Sequence, residues 1–76
     1  MKTMKYFTAA WCAPCKLFKP VMNEISLEGY SVQFINIDQQ QDLTAKHNVR
    51  SVPTVIIEEN GIEVDIFVGE VAVPDS

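Results

Sequence analysis

Between Ala13 and Glu28 the apolar residues return every three or four positions, at Cys15, Phe18, Met22 and Ile25, with Val21 beside them. That stripe predicts a helix with one buried side, and Lys16, Lys19, Asn23 and Glu24 supply its wet side. Pro14 suits the first turn, where a missing N–H leaves no bond unmade. Pro20 falls inside the stripe and is expected to kink the helix, and Gly29 stops it. The run before it, Met4 to Ala9, is short, apolar and aromatic. The run after it, Val32 to Ile37 (VQFINI), alternates apolar and polar. Both read as strands. A strand, a helix and a strand in immediate succession leave few arrangements open. The two strands lie parallel, joined by a right-handed crossover.

The rest of the chain adds to this unit. Gln41 to Asn48 reads as a short, weak helix around Leu43 and Ala45. Thr54 to Ile57 is a β-branched strand, Glu59-Asn60-Gly61 a hairpin turn, and Ile62 to Val68 the last strand, antiparallel to its predecessor. The order β-α-β-α-β-β gives an α/β fold: a small mixed sheet with the long helix on one face and the short helix on the other. With 76 residues, 47% of them hydrophobic, residues 1–76 are expected to form one domain around one core. A chain of this size buries roughly 60% of its unfolded surface. The net charge of −4 argues against a nucleic-acid partner. Six acids (Glu58, Glu59, Glu63, Asp65, Glu70, Asp75) crowd the segment after Arg50, where no basic residue occurs. A solvated face is the preferred reading over an electrostatic docking surface. At the front, MKTMKYFTAAWC has too short an apolar run for a signal core, and Trp11 fits poorly where processing needs small residues. No segment approaches the ~20 apolar residues of a membrane span. A soluble, unprocessed, cytoplasmic protein is expected, in a compartment that keeps thiols reduced.

Both cysteines of the chain lie in AAWCAPCK, Ala9 to Lys16. A structural cross-link, half of a metal site and a redox pair compete to explain them. A cross-link between Cys12 and Cys15 closes so short a loop that it stabilises little. A structural zinc needs four ligands, and beyond the cysteines only His47 is available, which reads as a surface residue. The redox pair is favoured by a physical argument. Cys12 falls just before the first turn of the helix, where free backbone N–H groups and the helix dipole favour a negative sulfur. Such sites lower a free thiol from a pKa of about 8.5 to about 7 or below, on the order of 2 kcal/mol in favour of the thiolate. Cys15 is one turn further in, on the apolar side. An exposed Cys12 thiolate beside a sheltered Cys15 thiol is the arrangement that sequential disulfide exchange needs.

Here the residues carry a likeness. WCAPCK at Trp11 to Lys16 resembles the W-C-G-P-C-K active site of thioredoxins. Pro20 is similar to that family's kinking proline, INIDQ at Ile35 to Gln39 to its second core strand, and VRSVPT at Val49 to Thr54 to the segment carrying its cis-proline. ENG at Glu59 to Gly61 and VG at Val68-Gly69 continue the match, which runs from Met4 to about Gly69. The resemblance implies that Cys12 is the attacking nucleophile and Cys15 the resolving thiol. Ala13 and Pro14 shape the loop between them, and Trp11 shields the site and meets substrate. Pro53 is expected to be cis and to face the sulfurs, with the Val52 backbone pairing to an extended substrate segment and Gly69 lining the same groove.

The likeness also implies an activity. It is that of a thiol–disulfide oxidoreductase, expected to reduce protein disulfides by cycling Cys12 and Cys15 and to need no cofactor and no metal. Its electrons would come from a thioredoxin-reductase-type donor, its clients would be of the ribonucleotide reductase kind, and it would work as a cytoplasmic monomer without nucleic-acid or membrane partners. Two alternatives stand beside it: a glutaredoxin-like donor fed by glutathione, and a non-catalytic thioredoxin-fold interaction module. The sequence departs from the pattern in four ways. Ala13 replaces the usual glycine. Tyr6 stands where the family carries a buried carboxylate, and Phe34 where its lysine neighbour stands. Losing both together is self-consistent, since a buried acid without a partner is costly. The family's usual N-terminal strand and helix and its C-terminal helix are also expected to be missing from these 76 residues. One sheet face should then be less covered, with VAVPDS folding over part of it.

Overall fold

Six elements make up the computed structural model, which describes residues 2–73. They are β1 (Lys2–Thr8), α1 (Ala13–Leu27), β2 (Ser31–Asn36), α2 (Gln41–Lys46), β3 (Ser51–Glu59) and β4 (Ile62–Ala72). The expected order of elements is the observed one. The strands form one sheet in the order β2-β1-β3-β4. β1 runs parallel to β2 and antiparallel to β3, so Tyr6 faces Phe34 on one side and Val55 on the other. β4 closes the hairpin on β3.

Boundaries moved where local conformation outweighed pattern. α1 runs through Pro20 and ends at Leu27, with Glu28 capping it and Gly29 following at φ 102°, in the left-handed region that glycine enters without cost. α2 stops at Lys46, and Asn48 just beyond it takes a φ of 55°. The hairpin turn is the two-residue Asn60-Gly61, both at positive φ, so Glu59 belongs to β3. β3 begins three residues earlier than the β-branched run suggested, and β4 continues past Gly69 to Ala72.

Tyr6 and Phe7, adjacent in β1, mark the two faces. On the Tyr6 face, Met22 of α1 and Val55 are buried, and Met4, Phe18, Ile25, Val32 and Ile57 pack round them. On the Phe7 face, Ile35, Ile37, Val52 and Ile56 form a second cluster that also holds Ala9, Cys12 and Cys15. Leu43 of α2 and Val49 pack against it. The two helices thus cover opposite faces. His47 is not the surface residue expected. Its ring lies edge-on to Phe7 at 5.8 Å, because the end of α2 lies over that face, and its Nε2 is buried without a hydrogen-bond partner among the described residues. Lower on the same face Lys5 pairs with Glu58 at 2.7 Å.

β4 carries the uncovered surface that the sequence suggested. Ile62, Val64, Ile66, Phe67 and Val68 are all exposed, with Phe67 stacked on Phe18 of α1 at 5.7 Å. Further on, the strand turns inward at alternate residues. Val71 and Val73 pack on the Phe7-face cluster, while Glu70 and Ala72 face water. The expected tail cover is therefore partial; its last residues, Pro74 to Ser76, lie outside the described residues.

Candidate active site

β1 ends at the C-terminal edge of the sheet, and the chain must turn there to enter α1. The Cys12 N–H closes that turn on the Ala9 carbonyl at 3.2 Å. Cys12 then takes extended backbone angles and caps α1. Its sulfur accepts the Cys15 N–H at 3.3 Å, in the manner of the side-chain oxygens that usually fill this position. Pro14 sits in the first turn, as expected. The cap therefore gives one sulfur a direct share in the positive end of the helix. Cys12 and Cys15 are joined as a disulfide, with their Cα atoms 5.3 Å apart, inside the range that such bonds require.

One expectation is corrected. Cys12 is not the exposed member of an asymmetric pair: it is 0% exposed, and Cys15 1%. Both lie in the apolar cluster with Ala9, Ile35, Ile37 and Val52, because the start of α1 is pressed onto the end of the sheet rather than held away from it. Ala13 and Pro14, between the cysteines, are exposed. Trp11 is 43% exposed, and its Nε1–H donates to Asp38 Oδ2 at 3.0 Å. Asp38 follows β2 at the same edge of the sheet, with its own N–H held by Asn36 Oδ1 at 2.9 Å. Its place directly after a parallel strand was the available signal for a residue beside the site.

The Val52–Pro53 peptide bond is cis, and both residues are buried beside the cysteine cluster. Gly69 meets the same bond from β4. A Cβ there would lie 2.6 Å from Pro53 N and Val52 C, so only glycine fits. The structure thus brings Cys12, Cys15, Val52, Pro53 and Gly69 to one end of the fold, with Trp11 at its rim. What pairs with Val52 is not free backbone awaiting a ligand: Val71 of the same chain is its strand partner.

Below the disulfide lies Tyr6, fully buried, whose hydroxyl donates to the Cys15 carbonyl at 3.0 Å. Phe34 sets its ring edge-on to Tyr6 at 5.6 Å, and Phe18 lies 5.9 Å away on the other side. The position thus holds a neutral hydroxyl in an aromatic setting, and the hydroxyl spends its proton on the first turn of α1. A carboxylate lies lower on the other face, at Glu58. The hydrogen bond from Lys5 holds it below its ordinary value, opposed by partial burial. It belongs to the far end of β3, four residues beyond the Thr54 that neighbours the site.

Comparison with known proteins agrees with this geometry. A family model described as Thioredoxin matches residues 2–74. The thioredoxin of Mycoplasma genitalium is 42% identical over 59 residues, covering 75% of this chain and 58% of that protein. The thioredoxin of Rickettsia bellii is 39% identical over 66 residues, covering 83% and 63%. Among solved structures, thioredoxins of Schistosoma mansoni and Trypanosoma brucei superpose with TM-scores of 0.85 and 0.84, each at 30% identity. They cover 90% and 91% of this chain and 66% and 63% of theirs. The chain therefore spans about three fifths of the length of the curated relatives it matches.

Proposed function

Because the chain belongs to the thioredoxin family, we propose that it is a thiol–disulfide oxidoreductase that reduces protein disulfides through Cys12 and Cys15. The observation that carries this reading is the pair itself. The two sulfurs are close enough to bond, and one of them caps a helix whose Cys15 N–H points at it.

The steps follow from that geometry. In the dithiol form Cys12, as thiolate, attacks one sulfur of a client disulfide. One S–S bond breaks, a mixed disulfide to Cys12 forms, and the other client sulfur leaves as thiolate. The N–H that aims at Cys12 Sγ stabilises the anion before attack. Cys15 then attacks Cys12. The Cys12–Cys15 bond forms, the client leaves with its second sulfur reduced, and two electrons have passed from the chain to the client. With Tyr6 donating rather than accepting below Cys15, the departing client thiolate or water takes the Cys15 proton. Trp11, Ala13 and Pro14 are the exposed rim that a client meets first, and Val52 and Pro53, buried beside the sulfurs, with Gly69 against them, are the backbone it contacts once they are uncovered. A reductase of the thioredoxin-reductase type returns the electrons. Clients of the ribonucleotide reductase kind, a monomeric state and a cytoplasmic setting belong to the same reading. No helix among the described residues is long and apolar enough to cross a membrane.

The test is catalysis of protein-disulfide reduction by dithiothreitol, with equilibration of the pair against a glutathione series. Wild type should accelerate the reaction and titrate as one two-electron couple. Cys12→Ser should do neither. Acceleration that survives Cys12→Ser would point instead to an interaction module.

A further inference from the structure

Disulfide exchange needs a line of approach to a sulfur, and here Cys12 has none: it is 0% exposed. Some neighbour must therefore move before the pair can react. Ile35 and Ile37 sit on or directly after β2, Phe7 and Ala9 on or directly after β1, and β1 is held on both sides, by β2 and by β3. Arg50 to Val52 and their partners are held differently. The pairing of β1 with β3 stops at Phe7 and Thr54, so beyond it the start of β3 has, among the described residues, a strand neighbour only in the end of β4. That neighbour is built like a bound peptide. Val71 pairs with Val52, Ala72 with Ser51, and the Val73 N–H donates to the Arg50 carbonyl at 2.9 Å. Val71 and Val73 point into the cluster that holds both cysteines. A register shift at Pro53 separates this stretch from the rest of the β3–β4 ladder, and Gly69 lies against the shift.

We propose that Glu70–Val73 is an internal strap over the dithiol site, occupying the edge that an extended client segment takes when the strap lifts. The kind of segment follows from the strap's own pattern. It is an extended stretch with apolar side chains at alternate positions, pairing with Arg50–Val52 and setting those side chains where Val71 and Val73 now sit. The client role rests on the oxidoreductase reading above; the strap does not. The test is accordingly independent of that reading. Dithiothreitol reduces the oxidised pair whatever its natural client: the Cys12–Cys15 bond breaks, both sulfurs end as thiols, and dithiothreitol gives up two electrons and two protons as it closes to its cyclic disulfide. In the full chain, Val71→Gly with Val73→Gly should raise the rate of that reduction about tenfold, the factor that ~1.4 kcal/mol of lost strap contact corresponds to. A folded double variant reduced at the wild-type rate or slower overturns the strap. Wild type supplies a second reading that needs no variant. The Val73 amide should exchange with deuterium about tenfold or more faster than the Ile56 amide of the central ladder, by local opening. Equal protection of the two overturns the proposal. Faster reduction of the variant in a chain that reduces no protein disulfide would leave the strap standing and remove only the client role.

Discussion

Replacing Tyr6 by Phe removes one oxygen from the centre of the fold and little else. The hydroxyl donates to the Cys15 carbonyl at 3.0 Å in a fully buried setting, while the ring is held independently by Phe18 and Phe34. The carbonyl left behind is not orphaned. It lies within α1, where the N–H four residues on, that of Lys19, supplies its helical partner. The cost is therefore the net worth of one neutral hydrogen bond, ~0.5–1.5 kcal/mol, without the larger penalty of a stranded acceptor. For a domain of this size about 1 kcal/mol lowers Tm by about 4–8 °C. Thermal unfolding of the oxidised wild type and Tyr6→Phe, followed by circular dichroism in one buffer, measures this directly. An unchanged Tm would show that the hydroxyl ties nothing down. A loss beyond about 3 kcal/mol would show that the carbonyl depended on it alone. Either result refutes the reasoning.

Two further outcomes follow from the same contacts. Gly69→Ala pushes a methyl against the Val52–Pro53 backbone, which has no flexible end to yield, so it should destabilise by ~1–3 kcal/mol, the usual range for overpacking. Urea unfolding reads this, and a neutral result would mean that the end of β4 lies elsewhere in solution. Acid should act through Glu58. The hydrogen bond from Lys5 holds its carboxyl below the ordinary 4.5, with smaller help from His47 and Lys46. A carboxyl lowered on folding contributes stability above its unfolded value and loses it as pH falls through the folded one. Stability should thus hold from neutrality down to about pH 4.5 with respect to this group and decline below it, and Lys5→Gln should shrink that decline. An unchanged acid limb in Lys5→Gln would show that the pair does not act on folding.

Much of the fold was legible because period and punctuation agreed. The stripe at Cys15, Phe18, Met22 and Ile25, with Pro14 at its head and Gly29 at its foot, left α1 little latitude, and Asn60-Gly61 fixed the hairpin. The cis bond before Pro53 followed from the family likeness of VRSVPT, not from any periodicity. What could not be read depended on contacts between distant residues. Gly69 looks like the end of a strand. Only the Val52–Pro53 backbone pressed against it shows why a glycine is needed in mid-strand, with the ladder resuming at Val71. The burial of Cys12 depends on what packs on it from β3 and beyond, so its position before a helix could not reveal it. His47 read as a surface residue because a six-residue helix has too few turns to show which side it buries. The Tyr6 substitution was visible as a missing acid, but the direction of its hydroxyl, toward Cys15, was not.

The division of labour between the two sulfurs is tested most directly by trapping. Reduced Cys15→Ser should capture a disulfide-bonded protein client as a covalent complex that dithiothreitol releases, with peptide mapping placing the bond on Cys12. Cys12→Ser should capture none. A complex formed equally well by Cys12→Ser, or a bond mapped elsewhere in Cys15→Ser, would contradict the assignment of Cys12 as the attacking group.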